Sequence, residues 1–325
     1  MHILVTGAAG MIGRKLTARL GRGGMLNGEA IDRLTLIDVV APEKPRDSSA
    51  AVETTTSDLS APGAAAKAVA GRPDVVFHLA GVVSGEAETD FDKGYRVNLD
   101  GTRALFEAVR SAGIKPKIVF TSSIAVFGAP FPPSIPDEFH LTPLTSYGTQ
   151  KAICELLLAD YTRRGFFDGI GIRLPTICVR PGKPNKAASG FFSGIIREPL
   201  AGQEALLPVS DNVRHTHASP RAAVGFLIHA AGLTRNQLGP HVNLTMPGVS
   251  CTVGEQIEAL RRVAGDKVTA RIRRSPDELV QRIVSGWAER LDATRARNLG
   301  FKAEAVFDDI IRAHIVDELG GKIAA

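Results

Sequence analysis

The chain has 325 residues, 44% of them hydrophobic and 22% charged, with three cysteines and a formal net charge of +5. That length exceeds one small core and fits a large α/β unit with a smaller appended part, and the composition is that of an ordinary globular protein. The basic residues are scattered, as in Arg163–Arg164, Arg261–Arg262 and Arg271–Arg273–Arg274, with few aromatics between them, which speaks against a nucleic-acid binder; no apolar run approaches the ~20 residues needed to cross a bilayer.

In chain order, Ile3–Thr6 is a short apolar run stopped by a glycine turn, which makes it a strand and not a leader peptide. Met11–Leu20 follows with helical spacing. Leu34–Val39, Val52–Thr56, Val75–Ala80, Lys117–Ser122 and Ile170–Leu174 continue a series of strand candidates. Helical stretches separate them, among them the alanine-rich Ala64–Ala70, Thr102–Ala112 and Gln150–Arg164. Strands apolar on both faces and joined by helices imply an α/β fold of Rossmann type, a doubly wound parallel sheet covered on both sides.

The texture changes near Pro175. Arg180–Ala188 reads as a loop, Phe191–Leu200 as a helix ending at Pro199, and Val242–Thr245 as a strand returning to the sheet. Val253–Ala264, Asp277–Ser285 and Ala303–Leu319 are amphipathic helices, with Lys267–Arg273 as a strand after the first. The expected division is a Rossmann domain over 1–175 with a returning segment over 213–247, and a smaller substrate domain over 176–212 and 248–325. Cys154, Cys178 and Cys251 are odd in number and far apart. They form no metal-spaced pair and no disulfide framework, so buried thiols, no metal and a reducing cytoplasm are expected.

The turn Gly7-Ala8-Ala9-Gly10-Met11-Ile12-Gly13 lies between the first strand and the first helix. One glycine permits the tight turn, a second lets backbone approach a pyrophosphate, and a third lets the helix pack on the sheet. The helix N-terminus adds aligned N–H groups for the anion, with Ala9, Met11 and Ile12 beside it. Asp38 ends the second strand, where a carboxylate accepts hydrogen bonds from adenosine ribose hydroxyls and repels a 2′-phosphate, favouring NAD; the alternative is a surface aspartate closing a strand. Asp58-Leu59 stands where it can meet the adenine, and Leu79-Ala80-Gly81 supplies small residues where a cofactor passes. His78 reads as structural.

Tyr147-Gly-Thr-Gln-Lys151 places a phenol and an ammonium four residues apart on one helix face. A cation beside a phenol favours the phenolate and makes Tyr147 usable as a base near neutrality. Ser123, at the end of the fifth strand, is the candidate partner for the substrate oxygen; Ser122 is the weaker candidate, as a supporting residue.

Together, Gly7-xx-Gly10-xx-Gly13, Asp58-Leu59, His78-Leu79-Ala80, Val97-Asn98-Leu99-Asp100-Gly101-Thr102, Ser122–Gly128 and Tyr147-xxx-Lys151 resemble, in order, the extended short-chain dehydrogenase/reductase family. The resemblance implies a Rossmann domain, a small substrate domain and often a dimer through the helices bearing Tyr147 and Asn98. It further implies that Lys151 also holds the cofactor, that Pro175, Thr176 and Ile177 fix its carboxamide, and that Asn98 supports a proton path. Dehydratases of the family carry Asp-Glu where this chain has Ser122-Ser123, and sugar epimerases carry an asparagine where it has Leu174-Pro175-Thr176.

Within the family, Ser146–Glu155, Arg173–Ser189 and Ile196–Leu200 resemble dehydrogenases of small sugar acids. That implies NAD-dependent oxidation at C2 of a 2-hydroxy acid, D-erythronate to 2-oxo-tetronate. The expected substrate contacts are Ser84, Ser123, Tyr147, Thr176, Arg180, Asn185 and Arg214. Lys183 and Lys186 stand beside them, since a small carboxylate needs cations and hydroxyls, and either Arg214 or His217 is expected to anchor the acid. The alternatives are a nucleotide-sugar epimerase that retains its NAD and a non-catalytic dinucleotide-sensing regulator.

Overall fold

The computed structural model describes residues 1–182 and 189–324. They form two compact units: Met1–Val126, Leu141–Leu174 and Val224–Thr245 in the first, Phe127–His140, Pro175–Ala223 and Met246–Ala325 in the second.

Seven strands build the sheet of the first unit: β1 (His2–Thr6), β2 (Arg33–Asp38), β3 (Ala51–Thr56), β4 (Val75–His78), β5 (Lys117–Ser123), β6 (Asp168–Leu174) and β7 (Asn243–Thr245). Their order is β7-β6-β5-β4-β1-β2-β3, and every neighbouring pair is parallel. Ile3, Leu4, Val5, Val76, Phe77, Ile118, Val119 and Phe120 are all fully buried, as a sheet covered by helices on both faces requires. Three helices frame the region of interest: α1 (Met11–Gly23), α2 (Gly101–Ser111) and α3 (Ser146–Arg163). The chain runs outward from β1 to β3 and then crosses back to β4. Thr6 pairs in register with His78, so the carboxyl ends of β1 and β4 lie level at a topological switch point, the usual place for a ligand in such sheets.

The second unit packs helices Gly190–Leu200, Val253–Ala264 and Phe307–Leu319 around a core that includes Phe192, Ile196, Leu260 and Ile311. Thr252 and Glu255 close the start of the second of these as a capping box.

Several boundaries differ from expectation. The expected returning segment 213–247 is divided: only Val224–Thr245 belongs to the first unit. Arg214–Ala218 pairs instead with Thr176–Ile177 and Val249–Thr252. Phe127–His140, expected in the first domain, belongs to the second, where the Ile135 backbone bonds Arg290 and Asp292. The strand expected over Lys267–Arg273 is a helical turn, Asp266–Thr269, followed by a strand of Ile272–Arg274 alone. Gly265 at φ 86° ends the preceding helix, and one further turn buries Val268 and Thr269, so their β-branched character carries no strand. After α1 the chain forms a short hairpin, Met25–Leu26 with Glu29–Ala30.

Candidate active site

Gly7 follows β1 at φ 74°, and a Cβ there would lie 2.6 Å from Ala80 N and from Leu79 C. Only glycine lets the turn pass that close to the end of β4. At Gly13 a Cβ would strike the Gly7 carbonyl and Ala8, so α1 lies tight on the turn. α1 begins at Gly10 with no side-chain cap and no acidic residue in its first turn, which Met11 and Ile12 open; its N–H groups suit an anion. Asp38 ends β2 with its Oδ2 accepting from Ala9 N at 2.9 Å and its Oδ1 from Val40 N at 3.2 Å. The carboxylate is thereby held at the glycine turn. Asp58 Oδ1 accepts from Ser60 N and Oγ, and its Oδ2 meets Arg96 at 2.6 Å. Burial works against that carboxylate, but Ser60 and Arg96 outweigh it and hold the carboxyl below its ordinary range. Leu59 is buried beside it.

Thr145 caps α3 by accepting from Gly148 N at 3.0 Å, so Tyr147 and Lys151 fall on its first two turns. A Cβ on Gly148 would collide with the Ala125 carbonyl; the missing side chain brings α3 down onto the turn after Ser123. Lys151 is 4% exposed. Its Nζ donates to Thr121 O at 2.9 Å and lies 4.8 Å from the Phe120 ring centre and 5.8 Å from that of Tyr147. Ser123 and Tyr147 are both half-buried, and Ser123 Oγ accepts from Ala125 N at 3.1 Å. Ser122 points the other way and donates to the fully buried Glu155, which also pairs with Arg173 at 2.8 Å. The first unit thus brings Ser123, Tyr147 and Lys151 to the carboxyl side of the sheet, with Ser122 spent on the support beneath them.

His78 sits between Thr6 (2.7 Å from Nδ1) and Thr102 (2.9 Å from Nε2), and Thr102 donates to Asn98 O. Since the Thr102 proton is committed, His78 donates from Nε2 and accepts at Nδ1. Asn98 lies in a π-helical turn, Tyr95–Asp100. Its side chain bonds both polar groups of the Val82 backbone and Gln150. Gly81 is exposed, and Ser84 is half-buried at the start of a short helix, Ser84–Thr89. Gln150, Gly148 and Glu155 were not singled out in the sequence; the one available signal was their place on the turns around Tyr147-xxx-Lys151.

In the second unit Pro175 is buried and Thr176 half-buried, and Thr176–Ile177 pairs with Arg214–Ala218. Thr176 Oγ1 is 2.8 Å from His215 Nε2, and His215 Nδ1 is 2.9 Å from Ala288 O. A carbonyl only accepts, so Nδ1 carries the proton. Burial, opposed by that hydrogen bond, pushes His215 down to about 4 and keeps it neutral. Thr176 must then donate to Nε2, which leaves its oxygen lone pairs for donors on a ligand. Arg180 bonds Ile177 O at 3.1 Å and Ser189 Oγ at 3.1 Å. Arg214 bonds Ser250 O at 3.0 Å and pairs with Glu255 at 3.2 Å. His217, considered with Arg214 as an anchor for the acid, is fully buried between Phe192 and Phe307 and bonds Gln256. Asn185, Lys183 and Lys186 lie outside the described residues. Among the described residues no His, Cys, Asp and Glu cluster could hold a metal ion, and no helix is long and apolar enough to cross a membrane.

A turn that admits only glycine, a carboxylate fastened to it and a Tyr–Lys pair on the same sheet edge fit a nicotinamide dinucleotide. Residues 3–217 match the NAD dependent epimerase/dehydratase family, and the chain belongs to that family, with NAD as its cofactor. It is similar to the D-erythronate dehydrogenase of Cupriavidus necator, at 50% identity over 321 residues and 98% of each chain. It is similar also to the D-erythronate dehydrogenase of Haemophilus influenzae, at 42% identity over 97% of this chain and 99% of that one. Among solved structures, a nucleoside-diphosphate-sugar epimerase from Agrobacterium tumefaciens is 66% identical and superposes with a TM-score of 0.97, over 100% of this chain and 96% of that chain.

Proposed function

We propose that the protein oxidises the C2 hydroxyl of a small sugar acid, D-erythronate, to the 2-oxo acid. The observation that carries this reading is 50% identity to a D-erythronate dehydrogenase across 98% of both chains, and the Tyr147, Lys151 and Ser123 arrangement supports it. Tyr147 Oη takes the proton of the C2 hydroxyl, Ser123 Oγ holds that oxygen, and Lys151, its Nζ 5.8 Å from the Tyr147 ring centre, stands beside the phenol. Bound NAD supplies the acceptor for the hydride that leaves C2. Gly7, Ala9, Gly10, Met11, Ile12 and Gly13 would hold its pyrophosphate, Asp38 the adenosine ribose and Asp58 and Leu59 the adenine. Leu79, Ala80 and Gly81 would line its path, backed by Asn98. Lys151 would hold the nicotinamide ribose and Pro175, Thr176 and Ile177 the carboxamide.

On the substrate side, Arg180 or Arg214 would meet the carboxylate, with Ser84 and Thr176 as further contacts; Asn185, also expected there, lies outside the described residues. Phe91 and Leu156, 57% and 65% exposed on the segments around Asn98 and on α3, support a homodimer; the cysteine pattern supports a cytoplasmic setting.

Tyr147→Phe tests the base. It should bind NADH like the parent and lose about 10²–10⁴ of the oxidation rate; undiminished oxidation of D-erythronate would remove Tyr147 from the role. A second reading, nucleotide-sugar epimerisation, is favoured by the name of the Agrobacterium tumefaciens structure. An epimerase recycles its NADH within each turnover, so net NADH accumulation separates the two.

A further inference from the structure

We propose that Gln150 is a positioning residue, which acts through Asn98 to lock the helix carrying Tyr147 and Lys151 to the segment expected to face the cofactor. The proposal rests on the reading that Leu79–Gly81 and Lys151 hold NAD, and not on which substrate is oxidised.

The hydrogen bonds permit one arrangement of the two amides. Val82 N can only donate, and it lies 2.8 Å from Asn98 Oδ1. Asn98 Nδ2 then faces the Val82 carbonyl at 3.2 Å and Gln150 at 2.7 Å, so Gln150 must present Oε1. That turns Gln150 Nε2 away, to a buried place where it has no partner. There it fills space left by Gly94, on which a Cβ would lie 2.8 Å from Nε2. An unpartnered buried N–H is unfavourable, and an apolar side chain of equal length would fill the same space without that cost. Packing therefore does not explain a glutamine at this position; the acceptor for Asn98 does.

Gln150 is flanked on α3 by Tyr147 and Lys151, so holding its side chain sets the rotation of that turn. On the other side of Asn98 the same residues converge again. A Cβ on Gly81 would lie 2.8 Å from Asn98 Oδ1 and 3.7 Å from Lys151 Nζ. The π-helical turn at Tyr95–Asp100 is the kind of irregularity often found at functional sites, and it carries Asn98 into this gap.

Gln150→Met removes the acceptor at nearly constant length. Fluorescence titration should show the NADH Kd rising about tenfold, the cost of one unmade buried hydrogen bond. KM for NAD should rise with it, while KM for the sugar acid changes by less than about twofold. The titration needs no sugar acid, so a wrong substrate assignment leaves it untouched. A Gln150→Met protein that melts earlier yet binds NADH with unchanged Kd would overturn the proposal. Should Gln150→Met fail to fold, Gly94→Ala displaces the same amide; a raised Kd supports the proposal and an unchanged one overturns it.

Discussion

His78 lies on β4 between two threonine hydroxyls, and burial pushes its imidazole down to about 3, the Lys151 ammonium adding to the effect. His215, buried in the second unit, is lowered to about 4, again chiefly by burial. Below the ordinary value of 6.5 the unfolded chain binds these protons and the folded one does not. Stability is therefore complete above that pH and falls as the pH drops through it, by about 1.4 kcal/mol per pH unit for each histidine. Melting temperatures measured between pH 7.5 and pH 5, above the range where most carboxylates titrate, should fall steadily below about 6.5, and His78→Asn should flatten the slope. A melting temperature constant over that window would contradict the assignment of these imidazoles as buried and neutral. Neither state was legible beforehand. A histidine in an apolar strand reads as structural, but its tautomer is set by partners far away in sequence, Thr102 for one and the Ala288 carbonyl for the other.

At the scale of elements, the glycine turn and the Tyr147–Lys151 spacing were legible because each states its own geometry. A strand, three glycines and a helix are contiguous, and four residues on a helix always share a face. What holds them in register was not legible. Glu155 reaches from α3 to Ser122 on β5 and to Arg173 on β6, three elements whose adjacency no local pattern announces. Glu155→Ala would leave the Arg173 guanidinium buried, 5% exposed, without its carboxylate. The expected cost is about 3–5 kcal/mol of unfolding free energy in urea. A loss below about 1 kcal/mol, typical of exposed pairs, would show that the pair does not tie the elements together. The short strands Thr176–Ile177 and Ala205–Leu207 were hidden for a related reason. Two or three residues carry no periodicity, and their pairing partners are remote.

For the molecule as a whole, the parallel sheet was readable because its central strands β1, β4 and β5 are buried on both faces and so appear as largely apolar runs, whereas the edge strand β3 is mostly exposed. The division into units was read less well. It depends on which long loops pack where, and Phe127–His140, inserted between β5 and α3, gives no compositional sign of joining the second unit. The family follows from the order of motifs along the chain, whereas the substrate rests on resemblance to relatives and on side chains of the second unit. Protein supplied with NAD and D-erythronate should accumulate NADH, read by its near-ultraviolet absorbance, in step with the 2-oxo acid formed; the same protein given a nucleoside-diphosphate sugar should form no epimer. Absence of NADH with every four-carbon sugar acid, together with epimer formation at constant absorbance, would contradict the account.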